Sequence, residues 1–189
     1  MRKLVYYVGT TIDGFIAAPD GTADFFPVTP DVIDFITTDY PDALPTHVRA
    51  QLGVDVPNRN FDVGVQGRTT YQAALDIDVT SPYAHLQQIV VSTSLTGSPD
   101  PAVEVVSRDV VERIRRLKAE EGKDIYLMGG SRLAGSLLAE IDALVLKVYP
   151  VVAGAGIPLF TADFQPTGFT LTGTRSLENG TVVLSYDRA

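Results

Sequence analysis

The sequence predicts an α/β protein with one mostly parallel central sheet, helices on both faces and a closing antiparallel hairpin. Short, apolar, β-rich runs alternate with amphipathic stretches along most of the chain, as strand–helix–strand crossovers require. The C-terminal stretch instead holds two alternating runs joined by Asn179-Gly180, a strong hairpin signal. No linker, repeat or low-complexity tract interrupts the pattern, so residues 1–189 are expected to form one domain.

The first element is "KLVYYVG" (3–9), apolar on both alternating faces and so a buried strand. Residues 19–31 carry prolines and turn residues and read as a loop. A helix over 30–38 follows, with Thr29 as N-cap, Pro30 at its first position and Val32, Ile33 and Ile36 on one face. Residues 40–60 are polar and aperiodic, and are expected to be an insertion or an irregular lid. "FDVGVQG" is a strand that stops at Gly67-Arg68 and turns into a short helix. "QQIVVSTS" (87–94) is another strand. In the next helix Ser107 is the predicted cap, Val110, Ile114 and Leu117 share a face, and Gly122 is the predicted stop. "DIYLM" (124–128) is a strand, 131–141 a helix with Leu133, Leu137, Leu138 and Ile141 inward, and 143–154 a long strand.

The bulk numbers remove several function classes. A net charge of −8 opposes a general nucleic-acid or anionic-membrane binder, since both need basic surface. The absence of cysteine excludes disulfides and thiolate chemistry, and the two histidines, His47 and His85, in polar loops, read as surface residues rather than a zinc site. Neither a signal peptide nor a membrane span is legible, so the expected location is cytoplasmic.

Ligands of open α/β sheets bind beyond the carboxyl ends of the strands, and three such corners here suit an anion. Gly67 lets a ligand approach the backbone, Arg68 brings a forked donor, and Thr69 and Thr70 bring hydroxyls at a helix start. Ser92-Thr93-Ser94 places hydroxyls at a second strand end. Gly129-Gly130 leads into a helix opened by Ser131 and Arg132. Each alone is also an ordinary turn; their recurrence points to an anion-binding domain. Gly154-Ala155-Gly156 continues into Ile-Pro-Leu, so the usual dinucleotide glycine fingerprint is absent, as is a Walker A loop.

Four blocks in order, "TTIDGFIA" (10–17), "VQGRTTY" (65–71), "IYLMGGSRLAGSLL" (125–138) and "LVLKVYPVVAGAGIPLF" (144–160), resemble the dihydrofolate reductase-like superfamily, and within it the reductase domain of bacterial riboflavin biosynthesis. The resemblance implies a dihydrofolate reductase-like fold and NADPH as cofactor. Gly67, Arg68, Thr69 and Thr70 would receive phosphate, with Arg68, Ser92 and Thr93 near the adenosine 2′-phosphate. Met128, Gly129, Gly130, Ser131, Arg132 and Leu133 would form the pyrophosphate corner, and Gly9 and Ile16 would face the nicotinamide. Among Asp13, Asp24, Asp31 and Asp34, the resemblance selects Asp31, in a helix first turn, as the catalytic carboxylate, with Asp13 and Phe35 toward the substrate. It also implies a small-molecule substrate and a homodimer, formed through the 143–153 strand or the hairpin. Two departures leave the substrate open: "QAALDIDVTSPYAH" has no basic residue to clamp a folate glutamate, and Phe15 replaces the lysine that follows "DG" in riboflavin-type enzymes. A heterocyclic or carbonyl acceptor, or a cofactor- or phosphate-binding protein without catalysis, remain the readings.

Overall fold

A computed structural model describes residues 1–189. In chain order it contains β1 (Leu4–Thr10), β2 (Phe15–Ala17), α1 (Pro30–Asp39), a 3-10 turn (Pro41–Ala43), α2 (Thr46–Gln51), β3 (Phe61–Gly67), α3 (Arg68–Leu75), β4 (Gln87–Val91), β5 (Val103–Val106), α4 (Val110–Ala119), β6 (Asp124–Leu127) and α5 (Ser131–Ser136). A second 3-10 turn (Leu138–Glu140), β7 (Ala143–Val148), β8 (Ile157–Pro158), β9 (Phe169–Ser176) and β10 (Val182–Arg188) complete it. Eight strands form one sheet in the order β5-β4-β3-β6-β1-β7-β10-β9, and β2 pairs separately with β8. Every pairing from β5 to β7 is parallel; β10 and β9 run antiparallel, as the hairpin signal predicts.

Strand alternation sorts the apolar residues to two faces. Leu4, Tyr6, Val63, Val65, Ile125 and Leu127 meet Ile114 and Leu117 of α4, Leu133 and Ala134 of α5, and Leu137 just after it. Val5, Tyr7, Phe61, Tyr126 and Val145 face α1 through Phe35. The inward side of α1 is therefore Val32 and Phe35 rather than the expected Val32, Ile33 and Ile36 set; Ile36 packs at the margin. A third cluster seats Tyr71 of α3 on Val90 and Val103.

Several boundaries differ from expectation for identifiable reasons. β5 and β8 are too short to show a period, and each exists because a partner strand supplies its hydrogen bonds. β7 stops at Val148 because Tyr149-Pro150 follows, and proline has no N–H to continue a ladder. The 131–141 helix breaks after Ser136 into a 3-10 turn, with Leu137 and Ile141 buried but Leu138 only partly so. α4 is entered through Asp109, held at φ 53°, and not capped by Ser107; it ends at Glu120, before Gly122. Thr29 sits at the α1 cap position, yet its hydroxyl donates to Asp31 instead of accepting a backbone N–H.

Residues 40–60 are neither a lid nor an unfastened loop. Asp42 is fully buried and accepts backbone N–H bonds from Arg59, Asn60 and Phe61 at 3.0, 3.1 and 2.6 Å. Arg49, also buried, donates to the carbonyls of Pro41 and Val56. His85 is not a free surface residue: Nε2 donates to the Asp42 carbonyl and Nδ1 accepts from the Thr46 hydroxyl, while burial lowers its pKa. The segment thus buttresses the amino ends of β3 and β4. β7 is paired on both sides, by β1 and β10, and has no free edge for a partner subunit; among the expected routes only the hairpin, whose β9 is the sheet edge, remains.

Candidate functional site

Because β1, β3, β4, β6 and β7 are parallel, their carboxyl ends open on one edge of the sheet. β6 lies between β3 and β1, so the loop leaving it is central. That loop is Gly129-Gly130, at φ 115° and 64°, conformations that L side chains rarely adopt. No atom lies within 4 Å of the position a Cβ would take at either glycine, so bare backbone faces open space. Met128 and Leu133 are buried on either side, and their side chains belong to the core. Ser131, the first residue of α5, is buried, and its hydroxyl is 2.6 Å from that of Thr161. Gly135 lets this short helix lie directly on residue 161, whose carbonyl a Cβ would strike. Arg132 is exposed and forms no ion pair.

On one side of this cradle is the corner formed by β3 and α3. Gly67 is extended (ψ 165°) and Arg68 and Thr69 are exposed. Arg68 Nη1 donates to Ser94 Oγ at 2.7 Å, so tertiary structure joins two corners that are 26 residues apart. Ser92 is buried and its hydroxyl accepts the N–H groups of Ser94 and Leu95, which makes it the internal support of the turn. Thr93 is exposed beside it. Arg108, which sequence reading passed over, stands exposed just after β5, whose end is tied to Ser92 by the Ser92 N–H to Val106 carbonyl bond. No local signal marks it, because the edge strand it follows is too short to show a period. The side chain of Gln66, one residue before Gly67, is buried and its amide nitrogen has no partner.

On the other side, Gly9 near the end of β1 lies against the Tyr149 ring, which packs at a tilt on Phe26 at 4.7 Å between centroids. Ile16 is partly buried in β2. Asp13 is exposed but fully engaged: it accepts from the Thr11 hydroxyl at 2.6 Å and from the Ala153 and Gly154 N–H groups at 3.1 and 2.7 Å. The Thr11 hydrogen bond, with the two backbone donors, holds its carboxyl well below the usual range, at about 2. Asp13 thereby pins the loop after β1 to the loop after β7. This contribution to stability is present above the ordinary pKa of 3.8 and is lost as pH falls through about 2. Amide exchange at Ala153 and Gly154 is expected to speed up across that window in the wild type, and already at pH 7 in Asp13→Asn. Unchanged protection in the variant would remove the pin.

Asp31 sits at the start of α1 with both oxygens occupied. Oδ1 accepts from the Thr29 hydroxyl and Oδ2 from the Asn179 N–H at 3.0 Å, tying α1 to the β9–β10 turn. The same two hydrogen bonds, Thr29 first, lower its pKa and keep it a carboxylate at neutral pH. Phe35 is buried, with the Arg175 guanidinium 5.1 Å from its ring centre. Asp24 and Asp34 are exposed, away from the core. No group of three or more His, Asp or Glu side chains has metal-binding geometry.

One concavity of about 280 Å³ opens at the opposite, amino end of the sheet, lined by Arg2, Lys3, Lys118, Asp142, Asp187 and Arg188. Its charged groups are already engaged, Lys3 with Asp187, Lys118 with Asp142, Arg2 with Asp62 and Arg188 with the Ile141 and Leu138 carbonyls, so it offers no uncommitted chemistry.

An open α/β sheet with an antiparallel C-terminal edge and a glycine cradle at its centre defines the class: a dihydrofolate reductase-like fold. Dihydrofolate reductase of Enterococcus faecalis, solved with NADP(H), superposes with a TM-score of 0.66 at 14% identity, over 98% of this chain and 96% of its own. A candidate riboflavin biosynthesis protein of Shewanella sp. PV-4 superposes at 0.73, 23% identical, over 99% of both chains. The uncharacterized protein YwjB of Bacillus subtilis is 30% identical over 190 residues, covering 100% of this chain and 99% of its own. The family model of the RibD C-terminal domain matches residues 2–183. The chain belongs to the RibD C-terminal domain family.

Proposed function

We propose that the protein is an NADPH-dependent reductase that passes a hydride to a small heterocyclic, carbonyl or imine acceptor. The observation that carries this reading is the Gly129-Gly130 cradle, open at both glycines and set between the Arg68–Ser94 corner and Gly9. The residues present suit a dinucleotide. Gly129, Gly130 and the N–H groups opening α5 would take the pyrophosphate, with Arg132 beside them. Arg68, Thr69, Thr70 and Thr93 would take the 2′-phosphate end, on a turn that the buried Ser92 hydroxyl holds together. The unpartnered Gln66 amide is a donor in want of an acceptor at the same edge. The backbone of Gly9 and Ile16 would orient the nicotinamide. When bound, the cofactor supplies the hydride; the protein supplies placement, at roughly 3–3.5 Å between reacting atoms, and manages a proton.

The engaged, ionised state of Asp31 favours one second reading, a binding protein of the same fold without turnover. Titration with NADPH and NADH, followed through the emission of the eight tyrosines, tests the main reading. Micromolar affinity that prefers NADPH is expected. No affinity for either dinucleotide would overturn it, and tight binding with no oxidation across an acceptor panel would favour the second. A homodimer formed through the exposed β9 edge is part of the proposal, and sedimentation as a monomer at micromolar concentration would remove it.

A further inference from the structure

Lys147 is the one lysine that has neither a carboxylate partner nor a fully exposed side chain. It lies in β7, in register with Gly9 of β1 and Val183 of β10, on the sheet face covered by α1. Its side chain is partly buried and its Nζ stands 4.3 Å from the centre of the Tyr7 ring. It makes no ion pair and no hydrogen bond, whereas Lys3 and Lys118 are paired with carboxylates and the Lys123 side chain is exposed at the amino end of β6. The hydroxyl of the same Tyr7 is buried without a partner. The surroundings are aromatic: Tyr7, then Tyr40 at 4.6 Å and Phe35 beyond it, with Phe26 and Tyr149 toward the carboxyl end.

A ring stack would tolerate an apolar residue at this position, and a desolvated cation without a counter-ion costs stability. We propose that Lys147 receives the carbonyl oxygen or imine nitrogen of a planar acceptor bound over β1 and β7, and protonates it during reduction. The inference rests on the reductase reading above. Lys147 lies beside Gly9, the residue placed at the nicotinamide, so an acceptor seated there meets both.

The acceptor carbon gains a C–H bond by taking hydride from the reduced dinucleotide. The C=O π pair moves to oxygen and takes a proton from Nζ, whose N–H bond breaks. Lysine is left as a neutral amine, which solvent reprotonates, and the dinucleotide leaves oxidised. Burial pulls the Lys147 ammonium down from its ordinary 10.5 to about 8, near the working pH, where a general acid is most effective. The ionisable groups packed around it do not oppose this. Burial raises Tyr7, Tyr40 and Tyr149, which stay neutral, and Arg175 is neutralised by Asp39. β10 contributes only Val183.

The test uses the full chain saturated with NADPH and isatin, a soluble planar ring ketone, as probe. With ¹³C-labelled lysine, the Lys147 Cε resonance, assigned by its loss in Lys147→Met, is expected to titrate near pH 8. Isatin should shift this signal and leave those of Lys3, Lys118 and Lys123 in place. Lys147→Met is expected to keep its NADPH affinity within about twofold and to lose isatin reduction by roughly 100-fold or more. The wild-type rate should be flat below about pH 8 and fall above it. Folding of the variant is checked by its melting temperature, which should rise at pH 7. The cost of the buried charge is fully present below about pH 8 and fades toward 10.5, as the folded-state lysine neutralises before the unfolded one. An unmoved Lys147 resonance at millimolar isatin, or equal reduction by Lys147→Met, overturns the assignment. No NADPH affinity, with isatin still shifting Lys147, would strike the reductase reading and support the acceptor pocket.

Discussion

Replacing Asp42 with alanine is expected to lower the unfolding free energy by about 3–5 kcal/mol, the largest single loss foreseen for this fold. The carboxylate is fully buried, and its two oxygens are the acceptors for three consecutive backbone N–H groups, those of Arg59, Asn60 and Phe61. Alanine would leave these donors facing a cavity. Each unsatisfied buried donor costs about 1–3 kcal/mol, discounted here because water can enter the vacated space. The damage extends to the amino end of β3, because Phe61 opens that strand and packs on Tyr126 at 5.1 Å between centroids. Urea unfolding should show a lower midpoint with an unchanged slope. A loss below about 1 kcal/mol would mean that the 40–60 segment is fastened mainly by Arg49 and His85.

Arg68→Ala is expected to weaken NADPH by roughly 10- to 100-fold while changing NADH little, since a hydrogen bond to a charged group contributes about 1.5–3 kcal/mol. The side chain is exposed and already steadied by Ser94, so the guanidinium is held in place without being neutralised. An exposed contact to phosphate is screened, and wild-type affinity for NADPH should fall with added salt more steeply than affinity for NADH. Arg132→Ala, at the pyrophosphate end, should weaken both dinucleotides together. Equal loss for NADPH and NADH in Arg68→Ala would remove the 2′-phosphate assignment and leave the reductase fold intact.

Much of the candidate site is legible in the chain because its signals are local. Gly129 and Gly130 advertise a backbone that only glycine adopts, and their positive φ values are what that sequence demands. The Gly67-Arg68 stop marks the strand-to-helix corner, and Asn179-Gly180 gives the hairpin, with Gly180 at φ 88°. Other features leave no local trace. The two-residue β8 is a strand only because β2 lies beside it, and the edge strand β5 hid Arg108 with it. Asp42 looks like any polar loop residue until three amides from a distant turn converge on it. Asp13 and Asp31 looked like uncommitted carboxylates; each is spoken for by donors 140 or more residues away, at Ala153 and Gly154 for one and Asn179 for the other.

The sequence by itself therefore determined the α/β alternation, the hairpin and the glycine corners, since periodicity and φ preference are properties of neighbouring residues. The strand order, the meeting of Arg68 with Ser94 and the setting of Lys147 were decided only by tertiary structure. Lys147 reads in the chain as one polar residue in an apolar strand. It becomes a half-buried ammonium with no carboxylate partner, set over the Tyr7 ring, because pairing with Gly9 and Val183 turns it to the face covered by α1, where aromatic rings replace much of the water. A charge's environment is set by what surrounds it in space, and that is the sum of long-range pairings which no local window of sequence contains.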